Sequence, residues 1–214
     1  HRPTEGKIKR LTIKQEPSGK WYAIFTCEVE NKPIQGRLAS IGIDFGLHSL
    51  VALSDGTKIE APQYYRKIYE KLRRTQRIFS KKKNGSNNRL KQRIILAKVY
   101  EKETNQRKDL SFKIAREIVN KYERIYVEDL KITNMVKNKH LSKSIYDAGW
   151  GILKNNLTYM AKMSLGRTVL VNPKNTTQIC SGCGVIVRKD LSVRIHSCPE
   201  CGLVLDRDVN AARN

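Results

Sequence analysis

Apolar and polar positions change period several times along this chain, and each change predicts a different element. Over residues 7–14 and 20–30 they alternate, and in the second run Trp21, Ala23, Phe25, Cys27 and Val29 share one face. Alternation marks a strand with one face turned inward. Pro17-Ser18-Gly19 between the runs predicts a turn, and so a two-stranded ribbon. Cys27 belongs to the apolar face and is expected to be a buried, inert thiol. An isolated hairpin is marginal in water, so the ribbon is expected to be the tail of something upstream, with Lys32-Pro33 to Arg37 as linker. Next, Ile41, Ile43 and Phe45 alternate with Gly42, Asp44 and Gly46. One face is apolar, and the other carries a single carboxylate between two residues without side chains. Such a face suits a metal or an anion close to the backbone, and equally an edge strand with a solvent-facing acid. The stretch alone favours neither. Val51-Ala52-Leu53 reads as the partner strand and Ser54-Asp55-Gly56 as a tight turn.

After Pro62 the period lengthens. Tyr65, Ile68, Leu72, Thr75 and Phe79 recur three and four apart, as a helical packing seam does. Asn84-Gly85-Ser86-Asn87 breaks the pattern, and Leu90, Ile94 and Ala97 resume it, which predicts a helical hairpin to about Lys121. Lys121 to Leu130 reads as a strand with Ile125 and Val127 on one face and Tyr126 and Glu128 on the other. Residues 131–146 lack a period and hold Lys131, Lys137, Lys139, His140 and Lys143, so they read as a mobile basic loop. Asp147 is placed to cap a helix through Trp150, Leu153, Leu157 and Met160. Gly166 ends that helix, and Thr168 to Val171 is the last strand. Strands alternating with helices predict an α/β arrangement with a mixed sheet.

Charge changes the picture from fold to partner. The 214 residues carry 42 lysines and arginines against 20 acids, a net charge of +22. Such a surplus repels itself unless a polyanion is the usual partner. Nucleic acid is the leading candidate and an anionic membrane surface the second, although no apolar run approaches a membrane span. The surplus is concentrated in the hairpin, where Pro62 to Lys113 holds 17 basic residues and 4 acids. Like charges three or four apart weaken a helix. The stretch is therefore read as a phosphate-tracking surface, with Arg73, Arg74, Arg77, Lys81, Lys82, Lys83, Arg89 and Lys91 as the candidate contacts. The chain opens on His1 without a signal-peptide pattern, as a fragment or a processed chain would.

The C-terminal block is the most specific. Cys180-Ser-Gly-Cys183 and Cys198-Pro-Glu-Cys201 stand fourteen residues apart, each followed by a glycine. Two such knuckles place four thiolates around one tetrahedral ion, with zinc preferred and iron or two disulfides as the alternatives. The site is closed, so it would fold the loop rather than catalyse. With four cysteines present, His196 is taken as a surface residue. In the closing run Asp206-Arg207-Asp208-Val209-Asn210-Ala211-Ala212, either aspartate could simply cap a helix.

Together the acids point further. Asp44 and Glu128 alternate alike on two strands, and Asp208 opens a helix. Three converging carboxylates suit two magnesium or manganese ions, which prefer oxygen ligands and, about 4 Å apart, can activate a water and stabilise a leaving oxygen. Gly42-Ile43-Asp44-Phe45-Gly46, Tyr126-Val127-Glu128-Asp129-Leu130, the knuckles preceded by Thr176-Thr177-Gln178, and the closing Asp-Arg-Asp run occur in one order. Over the span from about residue 7 to Asn214 this resembles the TnpB (OrfB) family of insertion-sequence proteins, related to the type V CRISPR effectors. The resemblance implies a RuvC-like, RNase H-like mixed sheet flanked by helices, with an inserted helical hairpin and a zinc ribbon before the last helix. It implies an RNA-guided DNA endonuclease of bacterial or archaeal cytoplasm. The guide would come from the transposon end, and Asp44, Glu128 and Asp208 would be the catalytic positions. Asp129 and Asp206 would be neighbours only. Residues 1–37 would be the tail of a wedge domain and its linker, 38–173 the nuclease core, 174–204 the ribbon and 205–214 the last core segment. The family's further N-terminal regions are not present in these residues. A guide-free transposase or resolvase of the same fold, and a non-catalytic binding module, are the competing readings.

Overall fold

The alternation at the start of the chain forms β1 (Lys7–Gln15) and β2 (Trp21–Glu28), paired antiparallel with a bulge between Ile8 and Arg10. The turn closes at Pro17-Ser18-Gly19, where the Gly19 amide donates to the Glu16 carbonyl at 2.8 Å. The computed structural model describes residues 3–190 and 192–214. Two long helices follow the predicted hairpin, α1 (Tyr64–Ser80) and α2 (Asn87–Lys121), broken where Asn84 to Asn87 predicts. The ribbon and the residues Gln63–Leu110 form one compact unit. Tyr22 and Lys20 reach Glu101 on α2 at 3.0 and 3.1 Å, so the ribbon is hydrogen-bonded to α2 rather than standing alone. Its other face, with Ile8, Leu11, Ile13, Trp21 and Phe25, is exposed. Cys27 shares that face and is half-buried, not the buried thiol expected.

On α1, Leu72 and Thr75 are buried and the rest of the predicted seam half-buried. On α2 the seam differs from the expectation: Leu90 and Ile94 are exposed, and the inward stripe runs through Leu96, Val99, Glu103 and Arg107. Glu103 and Arg107 are buried as an ion pair one turn apart, with Arg107 Nη2 donating to Glu103 Oε2 at 3.3 Å. A pair satisfied in this way can occupy an inward position that apolar counting assigns elsewhere.

The second unit comprises Lys32–Pro62 and Ser111–Asn214. Its sheet contains β3 (Leu38–Asp44), β4 (Ser49–Leu53), β5 (Lys58–Glu60), β6 (Tyr122–Glu128) and β7 (Arg167–Val171), in the order β5-β4-β3-β6-β7. β3, β4 and β5 pair antiparallel, while β3, β6 and β7 pair parallel. The mixed sheet is therefore as predicted. Ile41, Ile43, Val51, Ile125 and Val127 form its buried core, with Ile114 and Ile118 from the end of α2.

The basic stretch 131–146 is not a plain loop. It forms α3 (Ile132–Met135) and α4 (Ser142–Ala148), helices too short for a period to register. α5 (Trp150–Met163) follows and packs on β6 and β7. Its N-cap is Gly149 at φ 65°, a left-handed conformation that suits glycine. Asp147 lies buried in the last turn of α4 and does not cap α5. At the far end Leu165 takes the left-handed position (φ 56°), and the Gly166 amide closes the helix onto the Ala161 carbonyl at 2.8 Å. Beyond β7, two further short strands, β8 (Ile195–Ser197) and β9 (Val204–Asp206), pair within the cysteine block. α6 (Arg207–Arg213) follows without a break and packs on β3 and β4.

Candidate active site

β3 and β6 are parallel neighbours with Ile43 opposite Val127. The next residue on each is an acid, so Asp44 and Glu128 stand side by side at the ends of their strands. α6 brings Asp208 to them. Its N-cap is Asp206, whose Oδ1 accepts from the Asp208 and Val209 amides at 2.9 and 3.2 Å. Lys58 pairs with the same carboxylate. Burial acts to raise the Asp206 pKa, but Lys58 and the amides outweigh it and hold the group low. Asp206 is thus the cap, and Asp208 is free of that duty.

Asp44 and Glu128 are 9 % exposed and Asp208 6 %, which removes the solvent-facing alternative for Asp44. Burial first, then the charges of Glu128 and Asp208, push the Asp44 pKa up to about 7. Burial also raises Glu128, opposed by a hydrogen bond from the Thr176 hydroxyl. Asp208 is held by Arg207, whose Nε and Nη2 donate to its Oδ1 at 3.2 and 3.0 Å. Arg194 Nη1 stands 3.9 Å from its other oxygen. A buried acid whose proton affinity is raised by burial and by two neighbouring carboxylates marks a place for a cation, and three hard oxygen donors suit magnesium or manganese. Thr176 and Arg207 each hold one acid. Among the described residues only the cysteines draw their ligand atoms into one tight group. Trp150 Nε1 donates to the Gly46 carbonyl at 3.2 Å and fixes the loop after Asp44.

The glycines beside Asp44 serve a different purpose from the one their position suggests. A β-carbon on Gly42 would lie 1.8 Å from the Ala212 carbonyl oxygen, and one on Gly46 2.6 Å from the Ser49 carbonyl. They admit backbone: Gly42 lets α6 lie against β3.

The ligand atoms of Cys180, Cys183, Cys198 and Cys201 lie within 4.8 Å of one another. Cys180 and Cys201 Sγ are 3.6 Å apart, as are Cys183 and Cys198 Sγ. A disulfide needs about 2.05 Å, whereas four thiolates around one zinc at about 2.3 Å stand about 3.8 Å apart. The cluster therefore fits a metal ion such as zinc. His196 is fully buried beneath it, in contact with Lys189 and near Cys180, and is not the surface residue expected. Its strand of three residues is too short for alternation to reveal an inward face.

Of the candidate phosphate contacts, Arg73, Arg74, Arg77, Lys81, Lys82, Lys83 and Lys91 are exposed along α1, the turn and the start of α2. Arg89 is half-buried. It donates to the Phe79 and Lys82 carbonyls at 3.1 and 2.9 Å and lies over the Phe79 ring, which commits it to the turn. Asp129 is paired with Lys131 and Lys154, outside the buried acid group. Thr176, Arg207, Trp150 and Asn210 had no part in the sequence expectations as site residues. Thr176 and Arg207 lie inside motifs that were recognised, but residue type alone does not show which acid each one holds.

Residues 24–139 match the OrfB_IS605 family model, described as "Probable transposase", and residues 150–214 match "Cas12f1-like, TNB domain". A Streptomyces pristinaespiralis protein named "Putative RNA-guided DNA endonuclease" is 37% identical over 215 residues, covering 99% of this chain and 53% of its own. The Escherichia coli protein "Putative RNA-guided DNA endonuclease InsQ" is 32% identical, covering 100% of this chain and 57% of its own. The chain thus spans about half the length of these curated relatives. Two solved structures share the fold. "Cryo-EM structure of the Cas12f1-sgRNA-target DNA complex" superposes with a TM-score of 0.57 at 20% identity, over 95% of this chain and 54% of that one. "Cryo-EM structure of CRISPR-Cas12f Ternary Complex" reaches 0.59 at 24%, over 91% and 42%.

Proposed function

The chain belongs to the OrfB (TnpB) family, and from that premise we propose that it is the catalytic part of an RNA-guided, magnesium-dependent DNA endonuclease. The observation that carries the reading is the convergence of Asp44, Glu128 and Asp208 from β3, β6 and α6 into one buried group, where burial first and then the other two acids raise Asp44. A sheet with three antiparallel strands continued by two parallel ones, with acids at the ends of β3 and β6, supports a RuvC-like, RNase H-like core. We set that core at 38–173, with the helical hairpin inserted at about 62–121, the zinc ribbon at 174–204 and the closing segment at 205–214. Residues 1–37 are the tail of the wedge and its linker.

Asp44, Glu128 and Asp208 would hold two magnesium or manganese ions, which supply an activated water and a counter-charge for the departing 3′ oxygen of a phosphodiester. Thr176 keeps Glu128 oriented. Arg207 neutralises Asp208 beside it, and Trp150 fixes the loop that follows Asp44. Zinc at Cys180, Cys183, Cys198 and Cys201 holds the ribbon's shape. The exposed bases of α1 and its turn follow the phosphates of the target DNA or of a guide RNA from the transposon end, in a bacterial or archaeal cytoplasm.

The test is Asp44→Ala in the full-length protein, which is expected to abolish magnesium-dependent cleavage of guided target DNA. Retained cleavage would remove the assignment. The RNA that co-purifies with the full-length protein is expected to be one discrete species, and its absence would transfer the reading to a guide-free transposase.

A further inference from the structure

We propose that Thr176–Ser181 is a strut that makes the geometry of the cysteine cluster part of the geometry of the acid site, with Asn210 as the positioning residue that joins them. The inference rests on the nuclease reading above. Within these six residues the chain touches all three parties. Thr176 Oγ1 donates to Glu128 at the end of β6. Asn210 Nδ2 donates to the Ile179 carbonyl at 2.7 Å, and its Oδ1 accepts from the Ser181 amide at 3.0 Å. Asn214 Nδ2 donates to the Thr176 and Ile179 carbonyls at 2.8 and 2.7 Å. Ser181 is itself inside the first knuckle, next to the Gly182 amide that faces the Cys180 sulfur at 3.4 Å.

Asn210 is fully buried, and both ends of its side-chain amide are used. A buried amide that loses its partners costs about 1–3 kcal/mol, so α6 and the knuckle are held in one register. Asp208 is two residues before Asn210 on the same short helix. The knuckle keeps its shape by holding a metal, because such a loop is not preformed without one. Relaxation of the knuckle moves Ser181 and Ile179 away from Asn210, and through Thr176 it also frees Glu128. The Glu128 side chain and α6 then lose the restraint on their separation, while the backbones of β3 and β6 stay in the sheet. The cysteine cluster therefore tunes cation affinity at a site to which it contributes no ligand.

An ordinary core role for Asn210 would lower stability and leave cation affinity unchanged. The full-length protein, Asn210→Ala, Thr176→Val and Thr176→Ser are compared by elemental analysis, by titration with Mn²⁺ read by electron paramagnetic resonance, and by the magnesium needed for half-maximal cleavage. Asn210→Ala and Thr176→Val are expected to keep about one zinc per chain. Both are expected to bind Mn²⁺ about tenfold or more weakly, the usual effect of removing a group that orients a ligand. Thr176→Ser restores the parental affinity, and zinc-stripped parent shows the same weakening. Folded Asn210→Ala and Thr176→Val that bind Mn²⁺ within about twofold of parent overturn the strut. If Asn210→Ala does not fold, the zinc-stripped parent decides: Mn²⁺ affinity within about twofold of the zinc-loaded parent overturns the strut. A parent that shows neither Asp44-dependent Mn²⁺ binding nor cleavage refutes the nuclease reading and this inference with it. A cleaving parent with unchanged variants refutes the strut alone.

Discussion

Gly42→Ala asks whether the third acid is placed by the fit of α6 against β3. The added β-carbon would lie 1.8 Å from the Ala212 carbonyl oxygen and 3.0 Å from its carbon. Carbon and carbonyl oxygen approach comfortably to about 3.3 Å, so one backbone must withdraw by roughly 1.5 Å. β3 is the less able to yield. It is paired on both edges, and the Gly42 amide and carbonyl are both bonded to Ser54 at 3.0 Å. α6 moves instead, and Asp208 is one turn from the clash. Overpacking a fitted contact costs about 1–3 kcal/mol. A shift of about 1 Å at a reacting group costs on the order of a hundredfold in rate. Ala212→Gly cannot relieve the clash, because the obstructing atom belongs to the backbone. Equilibrium urea unfolding measures the first effect, and single-turnover cleavage by the full-length protein the second. A variant that unfolds within about 0.5 kcal/mol of parent and cleaves at the parental rate shows that the docking of α6 does not place Asp208.

Four further outcomes are expected. In magnesium-free buffer Asp44 keeps its proton in the fold up to about pH 7, against 3.8 for an ordinary aspartate. The folded state therefore binds the extra proton between those values, and this contribution to stability falls as pH rises from about 4 to 7. Thermal unfolding of Asp44→Asn should lack that slope, and an unchanged profile refutes the raised pKa. Glu103→Ala removes the acid that pairs with the buried Arg107 and should cost about 1.5–3 kcal/mol in urea unfolding, as the loss of a buried charged hydrogen bond does; a loss below about 1 kcal/mol, the range of an exposed pair, contradicts the buried one. Cys201→Ser should reduce zinc from about one per chain to well below it by elemental analysis, and full retention would refute the four-thiolate site. Reversing Lys81, Lys82 and Lys83 to glutamate should weaken nucleic-acid binding and flatten its salt dependence by about two to three phosphate contacts; an unchanged slope removes the turn from the interface.

Much of this architecture was legible because its signals are local. The break at Asn84 to Asn87, the alternation through Ile41 and Ile125, and the two cysteine knuckles each lie within a few residues. What escaped depends on partners distant in sequence. Gly42 was noticed for the right position and the wrong neighbour, since Ala212 lies far along the chain. His196 and Asn210 are buried by elements of three and seven residues, too short for periodicity to show a face. Leu90 and Ile94 were expected inside, but the ion pair of Glu103 and Arg107 sets the inward stripe of α2. Cys27 shows the converse case, an apolar face that alternation finds but that remains exposed. Asp147 had the residue type of a cap, while Gly149 had the backbone conformation that the junction required.

The acids occur at 44, 128 and 208, with the whole cysteine block between the second and the third, and this order has a consequence during synthesis. Chains grow at about 5–20 residues per second, so Asp208 is made about 4–16 s after Glu128. Pairing of β3 with β6 can bring the first two acids together during that interval. The third arrives only after both knuckles have been made, on a helix whose seat they help to form. On the nuclease reading, a nascent chain passes through a stage with two of the three acids in place, and cleavage begins only once α6 has docked.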